Sequence, residues 1–310
     1  MHPIVVVMIA LASLAMFAFL LSVTLFLYVS FSWNLKKNKE VVLPNAEEYK
    51  PHRAKIRAWI DEVGEFPCQK MEMRAADGGI LRGKYYTFYE DAPMELMFHG
   101  YRSDSVRELS GGVLRAKKLG HNVFLVDQRG CGQSDGHFVT FGVKEHLDCL
   151  DWIEFILENV YKGATIILTG ISMGASTVLM ASGYTLPKNV VGVLADCGFT
   201  SAEEIIKEVI TQMHLPAKLI YPFIRFGGKV FGVDFNGYTA KDGVAKASLP
   251  TLFFHGTTDD FVPCWMSEVN YDLCASAQKK LVKIEGAGHG LSYVIDEENY
   301  LQAMRDFFKI

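Results

Sequence analysis

The 310 residues carry 31 Lys and Arg against 35 Asp and Glu, a formal net charge of −4, with no basic stripe interleaved with aromatics outside an N-terminal flank, so the electrostatics give no footing for nucleic acid. The six cysteines, Cys68, Cys131, Cys149, Cys197, Cys264 and Cys274, form no C-x-x-C pair, which removes the usual zinc and dithiol spacings and suits free thiols in a reducing compartment. H-E-x-x-H, a phosphate-cradling loop and internal repeats are also absent, so no metal or organic cofactor is expected, and the length suits one large α/β domain or two small ones.

Residues Ile4 to Phe31 hold no charged side chain and lead into Trp33. At a rise of about 1.5 Å per residue the stretch exceeds a hydrocarbon core of about 30 Å, so residues 1–33 are expected to form a single-pass membrane anchor. A cleaved leader fits less well, because the apolar run is too long, no Lys or Arg precedes it and no clear small-x-small site follows. Lys36, Lys37 and Lys39 come soon after the span, whereas only Met1, His2 and Pro3 precede it; the positive-inside bias then leans the large C-terminal part toward the cytoplasm.

Residues 34–66 read as a juxtamembrane linker containing an amphipathic helix from Tyr49 to Val63, in which Ile56, Trp59, Ile60 and Val63 repeat at i, i+3, i+4 and i+7. Packing of that stripe on the chain's own domain is the preferred reading. A basic helix resting on anionic headgroups is the alternative, since several Lys and Arg flank the stripe.

Residues 67–310 settle into alternating strands and helices. Lys70 to Arg74 and Ile80 to Phe88, separated by Asp77-Gly78-Gly79, predict an antiparallel hairpin. Further strands are expected at Glu95 to Phe98, Asn122 to Val126, Thr165 to Thr169, Val190 to Ala195, Thr251 to Phe254 and Lys280 to Ile284. Ser105 with Glu108 reads as a capping box for a helix ending at Gly120, and Val143, Leu147, Leu150, Ile153, Leu157 and Val160 give another helix one apolar face. Short apolar strands alternating with such helices imply a mostly parallel sheet covered on both faces, with reactive loops at the strands' carboxyl ends.

The strand Thr165 to Thr169 runs straight into Gly170-Ile171-Ser172-Met173-Gly174 and then the small residues Ala175-Ser176-Thr177. A serine on so sharp a strand-to-helix turn is lifted clear of the sheet, and glycines two residues to either side avoid the collisions larger side chains would make. A second match, Gly132-Gln133-Ser134-Asp135-Gly136, follows a polar loop and precedes His137-Phe138-Val139, so Ser134 reads as a loop residue.

A serine hydroxyl needs a base within reach and a third group to orient that base. His289, in Gly286-Ala287-Gly288-His289-Gly290, follows the last predicted strand on the rim that carries Ser172. His99 and His255 also end strands, but each is followed by glycine in a short turn and reads as structural; His121, His137, His146 and His214 read as surface or packing residues. For the acid, Asp259 follows one strand and precedes the strand that delivers His289, with Asp260 its immediate rival and Asp196 a distant one. The order serine, acid, histidine is that of the strand–elbow–helix hydrolases. Donors for a developing oxyanion are expected from the backbone N–H groups of Met173 and, in the loop after Phe98, Tyr101.

Taken together, Phe98-His99-Gly100-Tyr101, Asp127-Gln128-Arg129-Gly130-Cys131-Gly132-Gln133-Ser134, Gly170-Ile171-Ser172-Met173-Gly174, His255-Gly256 with Asp259 and Val262-Pro263, and Gly288-His289 resemble the α/β-hydrolase superfamily, most nearly its bacterial membrane-anchored prolyl-oligopeptidase-like and serine-aminopeptidase-like members. The resemblance runs from about Cys68 to the C-terminus. It implies an eight-stranded sheet, a triad of Ser172, Asp259 and His289, and oxyanion donors at Tyr101 and Met173.

Residues 200–249 separate two core strands by more than a simple crossover needs and hold many aromatics, among them Tyr221, Phe223, Phe226, Phe231, Phe235 and Tyr238. As a lid they would line an apolar acyl or aryl site; two packing helices and a loop are the plainer reading. Glu203 and Glu204 could grip a peptide's amino terminus or simply occupy a solvated first turn. The expected function is a serine hydrolase cleaving carboxylic esters of a small-molecule substrate. A peptidase, a thioesterase that delipidates membrane proteins, and a non-catalytic binding protein on the same fold are the alternatives.

Overall fold

The computed structural model describes residues 2–32 and 47–309. Trp33, Lys36, Lys37 and Lys39, on which the end of the span and its orientation rest, lie outside the described residues. Helix α1 (Pro3–Ser30) is long and apolar enough to cross a membrane, with a mean hydropathy of 2.9. A 3₁₀ turn (Glu47–His52) and α2 (Arg53–Gly64) follow in place of one continuous helix from Tyr49. Pro51 sits inside the 3₁₀ turn, where its missing N–H interrupts a continuous α-helical bonding pattern.

The sheet has eight strands in the order β1-β2-β4-β3-β5-β6-β7-β8. They are β1 (Gln69–Arg74), β2 (Ile80–Tyr86), β3 (Met94–Phe98), β4 (Asn122–Asp127), β5 (Ile166–Ile171), β6 (Val190–Asp196), β7 (Thr251–Gly256) and β8 (Lys279–Ile284). β1 and β2 pair antiparallel, β2 pairs antiparallel with β4, and every later pairing is parallel. Gly78 turns the first hairpin at φ 90, a conformation glycine adopts at no steric cost. β3, β4 and β7 are buried along their whole length, as strands covered on both faces must be, which is why their sequences are near-continuous apolar runs.

The helices are α3 (Ser105–Lys118), α4 (Glu145–Asn159), α5 (Met173–Ala181), α6 (Ala202–Gln212), α7 (Ala217–Val230), α8 (Ala240–Val244), α9 (Trp265–Leu273), α10 (Ser292–Ile295) and α11 (Glu297–Phe308). Trp152, Ile153 and Ile156 of α4, with Val178 and Leu179 of α5 and Val244 of α8, fill one face of the sheet. Leu109 and Val113 of α3, Val63 of α2, and Tyr300, Met304 and Phe307 of α11 fill the other. α2 thus packs on its own domain: Ile60 and Val63 are buried, and a Cβ added to Gly111 of α3 would meet the Trp59 ring at 2.7 Å.

The capping box expected at Ser105 and Glu108 does not form. The Ser105 amide is drawn to Asp127 Oδ1 at 3.0 Å, which moves the cap one residue back, so that Asp104 accepts from the Arg107 amide at 2.9 Å. Glu108, released from capping, turns to the loop after β3.

Candidate active site

β5 ends at Ile171 and α5 begins at Met173, leaving Ser172 alone between them at φ 55 and ψ −120. A non-glycine residue there is strained, and it persists because the surrounding packing allows no other path. A Cβ on Gly170 would lie 2.2 Å from the Gly174 carbonyl oxygen, and one on Gly174 would lie 2.0 Å from the Phe98 oxygen. Both flanking glycines are therefore required by backbone meeting backbone. Ser134, the other match to the pattern, donates to the Asp127 carbonyl at 2.5 Å and accepts from the Arg82 amide at 2.8 Å, pinning a loop.

The elbow brings Ser172 to the rim shared by the loops after β7 and β8. His289 Nε2 lies 2.9 Å from Ser172 Oγ, and its Nδ1 lies 2.7 Å from Asp259 Oδ2. Asp259 is held from its other side, because Oδ1 accepts from the amides of Phe261 and Val262 at 3.1 and 2.8 Å. His255 is buried beneath it, with Nε2 placed 2.8 Å from the Val262 carbonyl and 3.3 Å from Asp259 Oδ2, and Nδ1 bonded to Ser267 at 2.6 Å. The two rival acids line the same cavity but bond to other partners than His289. Asp260 is exposed, and its carbonyl accepts from Gln212 at 2.6 Å; buried Asp196 accepts from Ser292 at 2.8 Å and Tyr300 at 3.1 Å.

The electrostatics follow from this packing. Burial pushes the Asp259 carboxyl up, but hydrogen bonds from His255 and His289 outweigh it and hold the group down at about 2, so it is an anion at neutral pH. Burial opposes a charged His289, yet its contacts with the Cys197 thiol and the Asp259 carboxylate carry its pKa well above the ordinary histidine value. Cys197 itself is pushed up to about 11 by burial, which leaves the thiol neutral, and we attribute the histidine's shift to Asp259.

Met173 opens α5, where the first amides of a helix have no intrahelical partner. The loop carrying Tyr101 lies alongside, since a Cβ on Gly100 would be 3.1 Å from Ser172 Cβ. That loop is tied at several points. The Gly100 amide donates to Glu108 at 2.8 Å, His99 Nδ1 lies 2.7 Å from the Gly100 carbonyl, and His99 Nε2 accepts from the Gln128 amide at 3.0 Å. Tyr101 Oη donates to the Val29 carbonyl of α1 at 2.5 Å.

A cavity of about 650 Å³ opens from Ser172 and His289, a volume suited to a drug-sized or acyl ligand. Its roof is Glu48 and Tyr49 of the 3₁₀ turn with Ile56 and Trp59 of α2, and its walls include Gly111 and Gly112 of α3 and Tyr293 and Val294 of α10. Tyr49 Oη donates to the His289 carbonyl at 2.5 Å. None of residues 200–249 is among the lining residues, so the segment packs as the plainer reading has it and does not roof this cavity. Its aromatic and aliphatic side chains instead gather around Phe26, Phe141 and Phe199, because α7 docks on α1. Glu203 and Glu204 are likewise spoken for: the Glu204 amide donates to Ser201, the N-cap of α6, its carboxylate pairs with Lys241 at 2.8 Å, and Glu203 pairs with Lys207 and Asn236.

Glu108, Tyr49, Trp59 and Cys197 complete the site, and the sequence reading passed over all four. Cys197 alone had a readable signal, standing just past the carboxyl end of β6 on the rim where such folds place their chemistry. Its sulfur and one atom each of Asp259 and His289 lie within 4.8 Å of one another, the one such grouping of metal-ligating types among the described residues. Asp259 and His289 are already bonded to each other, and the thiol is protonated.

A family model described as the alpha/beta hydrolase fold matches residues 96–229. Uncharacterized protein YqkD of Bacillus subtilis is 28% identical over 195 residues, covering 61% of this chain and 62% of that protein. Uncharacterized membrane protein YNL320W of Saccharomyces cerevisiae is 23% identical over 192 residues, covering 62% of each. These matches thus span about three fifths of both relatives' length. Among solved structures, the esterase Pf2001 of Pyrococcus furiosus superposes with a TM-score of 0.65 at 19% identity, covering 89% of this chain and 98% of that one. The chain has the alpha/beta hydrolase fold.

Proposed function

We propose that the protein is a serine hydrolase that cleaves carboxylic esters through an acyl-enzyme, with Ser172, His289 and Asp259 as its triad. The observation that carries this is the unbroken hydrogen-bonded line from Asp259 Oδ2 through both ring nitrogens of His289 to Ser172 Oγ, at 2.7 and 2.9 Å. His289 in its neutral form takes the Ser172 proton as Oγ adds to the acyl carbon. The amides of Met173 and Tyr101 receive the charge that develops on the carbonyl oxygen. Collapse expels the alcohol, which leaves with the proton from His289. Water then repeats the sequence on the acyl-serine and frees the acid. Asp259 holds the tautomer and offsets the imidazolium charge. His255, Phe261 and Val262 act through Asp259 as positioning residues, and Glu108 acts through Gly100.

The anchor reading belongs with this one: α1 tethers the catalytic part to a membrane, and the lysines after it lean that part toward the cytoplasm. Turnover of a series of acyl esters against acyl thioesters and aminoacyl-arylamides tests the substrate class. Ester turnover that disappears in Ser172→Ala supports the reading; arylamide turnover that exceeds it replaces the esterase with a peptidase.

A further inference from the structure

Helix α1 is only partly free. The fourteen residues Ile4 to Phe17 are all exposed, a reach of about 21 Å at 1.5 Å per residue. From Ala18 onward one face of the helix is covered, with Ser22, Phe26 and Ser30 buried. A hydrocarbon core is about 30 Å thick, so the free part alone falls about 9 Å short of crossing it. Any tilt enlarges the deficit. The docked stretch from Ala18 to about Val23 therefore has to lie within the hydrocarbon, together with whatever is packed on it.

What is packed on it is α7. The Phe19 and Phe226 rings meet edge-on at 6.5 Å, and a Cβ on Gly227 would come within 2.3 Å of the Ser22 carbonyl oxygen. Tyr221, Ile224, Gly227 and Gly228 turn inward and are buried. A second apolar stripe, Leu219, Phe223, Phe226 and Val230, recurs at i, i+4, i+7 and i+11; Leu219 is 69% exposed and Phe226 51%. Three exposed apolar side chains, Leu219, Phe226 and Val230, with half-buried Phe223 among them, mark a surface that meets something other than water, and the neighbour it is continuous with is α1. Lys218 and Lys229, exposed on the same helix, have stems long enough to carry their charges to the headgroups.

The same measure sets the height of the reaction centre. Val29 lies about 8 Å beyond the hydrocarbon edge on this scale, at the outer limit of the headgroup layer, and tilt of α1 brings it nearer to that edge. Tyr101 is bonded to the Val29 carbonyl, and Arg102 Nη2 to the carbonyls of Tyr28 and Phe31 at 2.7 and 2.8 Å. The loop beside Ser172 is thereby fixed to α1 on the outer side of the headgroup layer, a few ångströms above the level at which an acyl ester of the bilayer exposes its carbonyl.

We propose that α7 is seated in the bilayer beside α1 and holds the Ser172 centre at headgroup height, so that the substrate is a long-chain acyl ester presented by the membrane. The seating of α7 rests on the anchor reading of α1 together with the α1–α7 packing, and the substrate class rests on the ester reading above. The test uses the full chain in phosphatidylcholine vesicles whose lipids are brominated in mid-chain. Trp fluorescence added by Phe226→Trp or Leu219→Trp, with the wild-type signal subtracted, is quenched by the brominated lipid; that added by Tyr161→Trp, at the opposite ends of the strands, is quenched only by aqueous acrylamide. Acrylamide quenching at position 226 equal to that at position 161, with none from brominated lipid, overturns the seating. In a second arm, the double variant Leu219→Asp, Phe226→Asp raises KM for a long-chain ester dissolved in the vesicles by about tenfold or more, and leaves a water-soluble acetate ester within about twofold. Equal losses on both esters overturn the substrate class. A wild-type chain that hydrolyses neither ester but shows the quenching pattern defeats the ester reading and leaves the seating intact.

Discussion

The rim of the sheet and the walls around it are built by different means. At the rim, each group of the proposed triad follows the carboxyl end of a strand, and its position is set within a few residues of sequence: Gly170 and Gly174 force the elbow, and the amides of Phe261 and Val262 clamp Asp259. At the walls, the roof comes from the 3₁₀ turn and α2, far away in sequence, and it stays in place through tertiary contacts such as Trp59 on Gly111 and Tyr49 on the His289 carbonyl. Chemistry is local and substrate shape is long-range, so changes at the rim should destroy turnover while changes in the roof redistribute it among substrates.

The largest effect belongs to the nucleophile. Ser172→Ala lowers kcat for any accepted ester by about 10⁵- to 10⁶-fold, read in single-turnover assays with a fluorogenic ester. Asp259→Asn follows, with a loss of about 10⁴-fold, whereas Asp260→Asn stays within about twofold; the pair run together breaks the account if the losses are equal. The pH profile sharpens the same point. His289 must be neutral to accept a proton, and its neighbours raise its pKa, so kcat/KM climbs with pH through a midpoint above the ordinary histidine value. Asp259→Asn removes the carboxylate that favours the charged form, and the midpoint moves to lower pH.

The roof gives the smaller effects. Trp59→Ala opens the cavity above Gly111 and should raise KM for the bulkier acyl groups by about tenfold, while leaving acetate turnover nearly unchanged. Steady-state kinetics across acyl-chain lengths read this directly; a uniform drop in kcat would place Trp59 with the reacting groups instead. Tyr49→Phe deletes one hydrogen bond to the His289 carbonyl, and a loss of about three- to tenfold in kcat, measured on the acetate ester, is the smallest effect expected.

The same division explains what could be read from the sequence. The eight strands lie within two residues of their expected ends, because apolar runs bounded by turn residues are local signals. Ser172, Asp259 and His289 stood out for a similar reason, each following a strand on the same edge. Ser105 and Glu108 misled because their partners, Asp127 and Gly100, come from other elements and outcompeted a local cap. The aromatics of 200–249 left two readings open, because composition does not say which side a ring faces; here they pack with α1 and the loops, as the plainer reading has it, rather than around the cavity. Nothing in the amphipathic stripe of α2 indicates that Trp59 would cap a cavity, since that depends on a glycine more than fifty residues away.

The most direct measurement is intact and peptide mass spectrometry of the full chain after treatment with a fluorophosphonate. The account predicts one adduct per chain, on Ser172, forming faster as pH rises through the His289 midpoint and disappearing in Ser172→Ala. A chain that takes up no label, or one that is labelled equally well when Ser172 is alanine, would contradict it.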